Sequence, residues 1–186
     1  TRDHRFSKKV GSISASGIRR FFELIANMDG CISLGVGEPD FVTPERYMKA
    51  AFDAALGGET HYTSNYGIPA LREAIADHLQ RLYGVRYDPQ REIIVTIGVS
   101  EGLLLATHAL LDPGDEVLCP DPYYVAYPPC VTLAGGNVVT VPTSAENEFR
   151  VAAADIEERI TDRTKALLIG YPANPTGAQM TREDLS

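Results

Sequence analysis

The sequence has no dense cluster of basic residues and no long apolar run. Lysine and arginine number 17 against 25 aspartate and glutamate residues, which gives a formal net charge of −8. Nucleic-acid-binding surfaces show the opposite balance, so we expect no nucleic-acid partner. The longest apolar stretch, Leu103 to Leu111, is interrupted by His108 and is shorter than the ~18 residues that a membrane span needs. We therefore expect no membrane association.

Cysteine is also scarce. The three cysteines are odd in number and lack metal-ligand spacing: Cys31, Cys119 and Cys130. This pattern predicts buried, reduced thiols instead of a disulfide framework or a metal site. The first residues carry no signal-peptide pattern, and we expect a cytoplasmic protein.

From residue 92 onward, short apolar runs alternate with helical patterns. Such alternation predicts an α/β fold, with a mostly parallel sheet and helices on both faces. The predicted strands are 93–97, 116–119, 138–141 and 166–169, and the predicted helices are 100–111, 124–133 and 153–160. Upstream, helices are predicted at 16–28, at a segment that Thr43 caps with Pro44 as its first residue, and from Pro69 to Gly84.

The turn at 96–102 joins a predicted strand to a helix and suits two chemistries. A helix N-terminus presents unpaired N–H groups and partial positive charge, so with the Ser100 hydroxyl it suits a phosphate. Gly98-x-Ser100-x-Gly102 is also a nucleophile-elbow pattern, which would make Ser100 the nucleophile of a serine hydrolase. That enzyme needs a later histidine. The last one, His108, lies on the same helix about two turns on, so the pattern favours the phosphate.

A second informative segment lies close to residue 186. Asn174 is placed between a strand-like run and a predicted helix start, with prolines at 172 and 175. These prolines remove two backbone donors and fix φ, so the turn is stiff and the Asn174 amide is held in place.

Four segments match one family in order and spacing. They are Leu34-Gly35-Val36-Gly37-Glu38-Pro39-Asp40-Phe41, then His61-Tyr62-Thr63 with Gly67-Ile68-Pro69-Ala70-Leu71-Arg72-Glu73-Ala74-Ile75, then Asp112-Pro113-Gly114-Asp115-Glu116-Val117 with Pro120-x-Pro122-Tyr123, and Asn174-Pro175-Thr176-Gly177. Together they resemble the N-terminal part of a class I, fold type I aminotransferase, most similar to the aromatic or broad-specificity and aspartate branch. The resemblance implies pyridoxal 5'-phosphate as cofactor. It also implies ping-pong transamination between an amino acid (aromatic, aspartate or similar) and a 2-oxo acid through pyridoxamine phosphate.

The resemblance assigns residues to the cofactor and the substrate. Val99 and Ser100 match positions that bind the cofactor phosphate, and Tyr124 matches an aromatic ring that stacks on the pyridine. Tyr123 is the competing candidate for that ring. Cis bonds are implied at Asp121-Pro122 and Asn174-Pro175.

The other assigned residues meet the substrate or a partner subunit. Asn174 matches a donor to the cofactor's phenolic oxygen and to the substrate carboxylate, and Gly37 matches a backbone N–H that meets the same carboxylate. Tyr62 matches a tyrosine that reaches the phosphate of the other subunit. The resemblance therefore implies a homodimer with shared active sites.

Pyridoxal chemistry requires a Schiff-base lysine, and none of the four lysines matches it: Lys8, Lys9, Lys49 and Lys165. We expect that lysine after Ser186 and expect the chain to be truncated and inactive alone. Residues 1–40 are predicted to form an N-terminal arm and small-domain segment, and residues 41–186 an incomplete large cofactor-binding domain. A carbon–sulfur β-lyase, another fold type I enzyme and a non-catalytic remnant are the alternatives.

Overall fold

The computed structural model describes residues 5–13, 24–25, 28, 30, 32 and 37–186. The chain forms two compact units, one of residues 1–16 and 97–186 and the other of residues 17–96. The helix predicted at 16–28 lies mostly outside the described residues, as does Cys31. The predicted division at residue 40 stays a prediction.

Three parallel strands form the sheet of the first unit: β1 (Glu116–Asp121), β2 (Asn137–Pro142) and β3 (Thr164–Leu167). Their order is β2-β1-β3, so β1 is central. It pairs with β2 in unbroken register along its whole length. On its other side, Glu116 pairs with Thr164 and Val117 with Ala166, a shift that skips Lys165.

Helices precede and connect the strands. They are α1 (Lys8–Ser12), α2 (Glu45–Leu56), α3 (Pro69–Tyr83), α4 (Gly98–Leu110), α5 (Tyr127–Ala134) and α6 (Ala153–Glu157), with a 3-10 turn at Ala145–Asn147. α5 connects β1 to β2, and α6 lies between β2 and β3. Parallel neighbours need such crossover connections, because a short hairpin reverses the chain direction.

The core lies on both faces of β1. Val117 and Cys119 point to one face and belong to a cluster that includes Val131 of α5. Leu118 points to the other face, in a cluster against which Ile156 of α6 packs. Successive side chains of a strand alternate between faces, so a strand covered on both sides has a continuous apolar run, which here is Val117, Leu118 and Cys119. The predicted α/β architecture, with helices on both faces of a parallel sheet, is confirmed.

The prediction of a strand at 93–97 is wrong. These residues form no strand, and no described strand pairs with them. The Val95 amide instead donates to the Tyr66 carbonyl at 3.0 Å. A Cβ added at Gly67 would lie 2.6 Å from Val95 Cγ2, which accounts for the glycine there. An apolar run is compatible with a strand, but only hydrogen bonds to a neighbouring backbone make it one.

Proline chemistry explains where α3 and α5 begin. α3 starts at Pro69 and ends before Gly84, whose φ of 71° is left-handed, both as predicted. α5 starts at Tyr127, three residues later than predicted, with proline in its first turn. The missing N–H of a proline is harmless in the first turn and breaks the ladder further in, so the helix begins immediately before the Pro128-Pro129 pair.

Other helix ends differ from prediction by one to three residues. α2 begins at Glu45 with Pro44 as its N-cap, one residue later than predicted. α6 ends at Glu157, three residues early. At the helix start predicted after Asn174, Thr181 and Asp184 form a capping box: the Thr181 amide donates to Asp184 Oδ2 at 2.7 Å and the Asp184 amide donates to Thr181 Oγ1 at 3.2 Å. Turns follow this box where a helix was predicted.

A carboxylate closes the amino end of β1. Glu116 is 6% exposed and accepts hydrogen bonds from Thr161 Oγ1 at 2.6 Å and from Arg163 Nη2 and Nε at 2.6 and 2.9 Å. The Thr161 hydroxyl, followed by the Arg163 guanidinium, holds the pKa of Glu116 below its usual range. The charged form of Glu116 therefore stabilises the folded chain.

We predict that Glu116→Gln lowers the urea midpoint of unfolding at pH 7. A carboxylate whose folded-state pKa is depressed contributes stability above its unfolded pKa of about 4.3, and that contribution is lost as the pH falls through the folded value. The difference between the two proteins should therefore shrink as the pH falls below about 4. Glu157→Gln, at an exposed position, is the matched control. A difference that stays constant from pH 7 to pH 3 contradicts this role of the Glu116 charge.

Candidate active site

The candidate site lies where β1 and β3 end. Open α/β sheets bind ligands outside the carboxyl ends of their strands. There a pocket of about 300 Å³ is lined by Val99, Ser100, Tyr124, Tyr127, Gly170, Pro172 and Asn174. This volume is at the lower end of the roughly 300–1,000 Å³ typical of small-molecule sites. Four of the predicted cofactor residues, Val99, Ser100, Tyr124 and Asn174, thus share one pocket.

The start of α4 forms one wall of the pocket. Gly98 takes a left-handed φ of 70°, which turns the chain into the helix. The Glu101 carboxylate accepts a hydrogen bond from the Ile97 amide one turn back. Val99 and Ser100 are exposed, and the first amides of a helix have no acceptor within it. This wall therefore offers N–H and hydroxyl donors to an anion.

The Asn174 turn forms the opposite wall and is closed by its own backbone. The Ala173 amide donates to Ala178 O at 2.8 Å, and the Gly177 amide donates to Ala173 O at 2.7 Å. Gly177 has a φ of 72°, and the Thr176 hydroxyl accepts from the Ala178 amide at 3.2 Å. Asn174 is exposed at the tip of this closed turn, and its side-chain amide has no partner among the described residues.

Cis peptide bonds occur where they were predicted. Asp121-Pro122 and Asn174-Pro175 are both cis, and Tyr171-Pro172 is cis as well. The first bond follows β1, and the other two flank the segment that leads to Asn174.

The structure distinguishes the two candidate tyrosines by position. Tyr124 lines the pocket that contains Ser100 and Asn174. Tyr123 lines a smaller neighbouring cavity of about 20 Å³ instead. Its ring is 6.4 Å from that of Tyr127, at an interplanar angle of 34°. The position of Tyr124 therefore favours it as the ring available to a pocket ligand.

Gly37 and Tyr62 belong to the other unit. The Tyr62 side chain is fully exposed, and a Cβ added at Gly37 would have no atom within 4 Å. Their assignments to the substrate carboxylate and to a partner's phosphate stay predictions.

The residues that line the pocket include neither a histidine nor a lysine. His108 lies on α4 with its Nδ1 2.8 Å from Leu104 O, so the hydrolase interpretation lacks a base at the pocket. Lys9 Nζ donates to Leu133 O at 3.2 Å, and Lys49 forms a 2.6 Å ion pair with Asp53.

The side chains of the described residues form no metal cluster. Among them, no group of three or more histidine, cysteine, aspartate or glutamate side chains could hold a metal ion. Within the same part of the chain, every helix is too short or too polar to cross a bilayer.

Three pocket residues were not predicted as ligand contacts: Tyr127, Gly170 and Pro172. Pro172 was predicted only to stiffen the Asn174 turn. Tyr127 is the first residue of α5 and comes three residues after Tyr124, which lies in the loop before the helix. Gly170 directly follows the last predicted strand, and a Cβ there would lie 2.6 Å from Tyr127 Oη. No local pattern in the sequence relates Tyr127 to Gly170, because what brings them together is a tertiary contact.

Known proteins of one family resemble this chain in sequence and in structure. The profile of the family described as aminotransferase class I and II matches residues 29–186. The aspartate aminotransferase of Pyrococcus abyssi and the aromatic-amino-acid aminotransferase 2 of Thermococcus litoralis are each 44% identical over 179 residues, covering 96% of this chain and 46% of each relative. The structure of Thermus thermophilus aspartate aminotransferase with maleate superposes with a TM-score of 0.91 at 40% identity, covering 97% of this chain and 48% of that one.

The fold is that of an aminotransferase α/β domain, and its pocket lies at the carboxyl ends of the strands. This chain belongs to the class I and II aminotransferase family. It spans about half the length of the relatives that it matches.

Cys119 is expected to be chemically inert although it lies on β1 near the site. It is 0% exposed, and burial raises the pKa of its thiol to about 12. At pH 8 only about one thiol in ten thousand is then ionised, and the thiolate is the reactive form. We predict that iodoacetamide leaves Cys119 unmodified in the native protein and alkylates it in denaturing urea, as measured by peptide mass spectrometry. Native labelling at the rate of a free thiol contradicts the burial.

Proposed function

We propose that this chain contributes the cofactor-binding part of a pyridoxal 5'-phosphate-dependent aminotransferase. The observation that carries the proposal is the shared pocket of Val99, Ser100, Tyr124 and Asn174 in a chain of this family. The reaction exchanges an amino group between an amino acid and a 2-oxo acid. Relatives named for aspartate and for aromatic amino acids support these two donor classes.

The donor chemistry of the pocket fits the cofactor. The start of α4 offers the amides of Val99 and Ser100, helix-dipole charge and the Ser100 hydroxyl to a phosphate dianion. The Tyr124 ring offers an aromatic face to a pyridine. The Asn174 amide, held by its closed turn, offers a donor to the phenolic oxygen and to the substrate carboxylate. The α4 start would thus bind the phosphate, Tyr124 the pyridine ring, and Asn174 the phenolic oxygen and the substrate carboxylate.

When bound, pyridoxal phosphate supplies an electron-accepting ring and an aldehyde that carries the amino group between the two substrates in ping-pong order. The residues of this chain orient that group and hold its charges. No lysine lines the pocket, and Lys165 lies on β3 away from its carboxyl end. We therefore place the covalent lysine outside residues 1–186, and the isolated 186-residue chain is inactive.

We extend the proposal to assembly and location. Tyr62 is fully exposed and would reach the phosphate bound by a partner subunit, which makes the active protein a homodimer. The acidic, cysteine-poor composition accords with a cytoplasmic enzyme.

The test uses the product of the complete gene that encodes this chain. We predict that it binds pyridoxal phosphate and transaminates aspartate or an aromatic amino acid with 2-oxoglutarate, measured by oxo-acid release. Borohydride should then attach the cofactor to a lysine other than Lys8, Lys9, Lys49 and Lys165, as located by mass spectrometry.

Two outcomes contradict the proposal. Failure to convert any amino donor counts against transamination, and pyruvate release without a 2-oxo acid indicates a carbon–sulfur β-lyase. Covalent cofactor on one of the four lysines, or activity of the isolated 186-residue chain, contradicts the placement of the covalent lysine.

Asn174→Ala should lower kcat/KM about tenfold to hundredfold. A hydrogen bond to a charged oxygen contributes about 1.5–3 kcal/mol, and this variant removes the donor while the turn keeps its backbone bonds. The absorbance of the bound cofactor should change as well, because the phenolic oxygen loses a donor. Gln179→Ala, at an exposed position after the turn, is the control. Unchanged kinetics and spectrum in Asn174→Ala would remove Asn174 from the site.

A further inference from the structure

Tyr127 lines the pocket beside two of the residues assigned to the cofactor, Tyr124 and Asn174. It is the first residue of α5, and it lines both the 300 Å³ pocket and the neighbouring 20 Å³ cavity. Its ring meets the Tyr124 ring edge to face, with centroids 5.8 Å apart and an interplanar angle of 82°. Edge-to-face contacts are a favoured aromatic geometry and fix the tilt of both rings.

The side of the Tyr127 ring away from the pocket contacts the hydrophobic core. Its ring packs against the buried cluster that contains Val117, Cys119 and Val131 on one face of the sheet. This burial, with smaller contributions from Cys119 and Tyr124, raises the pKa of the Tyr127 hydroxyl. The raised pKa and the packing both show that the buried cluster encloses one side of the Tyr127 ring.

Gly170 provides the space for the hydroxyl. A Cβ added at Gly170 would lie 2.6 Å from Tyr127 Oη but 3.8 Å from Cζ, so only the oxygen excludes a side chain. The φ of Gly170 is outside the left-handed region, and its backbone would accept an alanine. Gly170 leads directly into the segment that carries Asn174.

Tyr127 thus connects the two walls of the pocket. On one side it contacts the Tyr124 ring, and on the other its hydroxyl rests against Gly170. We infer that Tyr127 is a positioning residue, which sets the tilt of the Tyr124 ring relative to the Asn174 turn. Gly170 is a glycine because the Tyr127 hydroxyl occupies the volume of its side chain. The inference rests on the proposed function, in which Tyr124 stacks on the cofactor ring.

The test compares Gly170→Ala, Tyr127→Phe and the double variant in the product of the complete gene. Gly170→Ala pushes the hydroxyl and tilts the ring, so we expect at least tenfold weaker binding of pyridoxal phosphate and a changed near-ultraviolet circular dichroism of the bound cofactor. Tyr127→Phe alone keeps the ring and should change affinity by less than threefold. In the double variant the nearest ring atom is Cζ at 3.8 Å, an ordinary contact, so affinity should return to that of Tyr127→Phe.

Controls separate positioning from a general loss of stability. Tyr83→Phe, at an exposed tyrosine that ends α3, should leave affinity and dichroism unchanged. If Gly170→Ala does not fold, Tyr127→Leu takes its place. That variant removes the ring contact with Tyr124 and should weaken cofactor binding and change its dichroism.

The outcomes distinguish this inference from the proposed function. A wild-type protein that binds no pyridoxal phosphate overturns both. Wild-type binding with unchanged affinity and dichroism in folded Gly170→Ala, or in Tyr127→Leu, overturns the positioning role alone. A double variant that binds no better than Gly170→Ala overturns the role of the hydroxyl. A lower melting temperature with normal affinity and dichroism indicates a purely structural tyrosine.

Discussion

The parallel pairing of β1 with both of its neighbours is the constraint on which the rest of the first unit depends. β1 is buried on both faces and hydrogen-bonded on both edges, so its direction sets that of β2 and β3. All three strands therefore end at the same edge of the sheet. The loop after β1 brings Tyr124 to that edge, and the loop after β3 brings Asn174. A single antiparallel strand would have placed these side chains at opposite ends of the sheet.

Much of the fold could be predicted because its signals are local. Apolar runs identified β1, β2 and β3, and Gly84 marked the end of α3 correctly. The segment 93–97 has the same apolar pattern and forms no strand, because pairing depends on a neighbour that the pattern does not contain. The start of α5 was missed for a different reason. The predicted helix at 124–133 has Pro128 and Pro129 in its interior, whereas proline is favoured in the first turn.

In the pocket, too, the residues on turns with a clear sequence signal could be predicted, and those defined by a tertiary contact could not. Ser100 and Asn174 lie on turns whose glycines and prolines are visible in the sequence, and the structure places both at one pocket. Tyr127 and Gly170 were not predicted, because what relates them is a contact between residues 43 positions apart in the chain. Where one side chain fills the space that another would need, as Tyr127 does at Gly170, the sequence shows only that the second residue is a glycine. Glycines also occur in turns, helix caps and bulges, so the residue type alone does not reveal the contact.

The Glu116 carboxylate lies at the amino end of the strand whose carboxyl end leads to Tyr124. A strand rises about 3.3 Å per residue, so six residues separate the two ends by ~17 Å. Effects of changes so far apart, with no shared partner, are generally additive. The two ends of β1 are therefore free to evolve separately. Substitutions in the pocket near Tyr124 leave the hydrogen bonds of Glu116 at the other end of β1 intact. The pocket can therefore change in evolution while the fold keeps this source of stability.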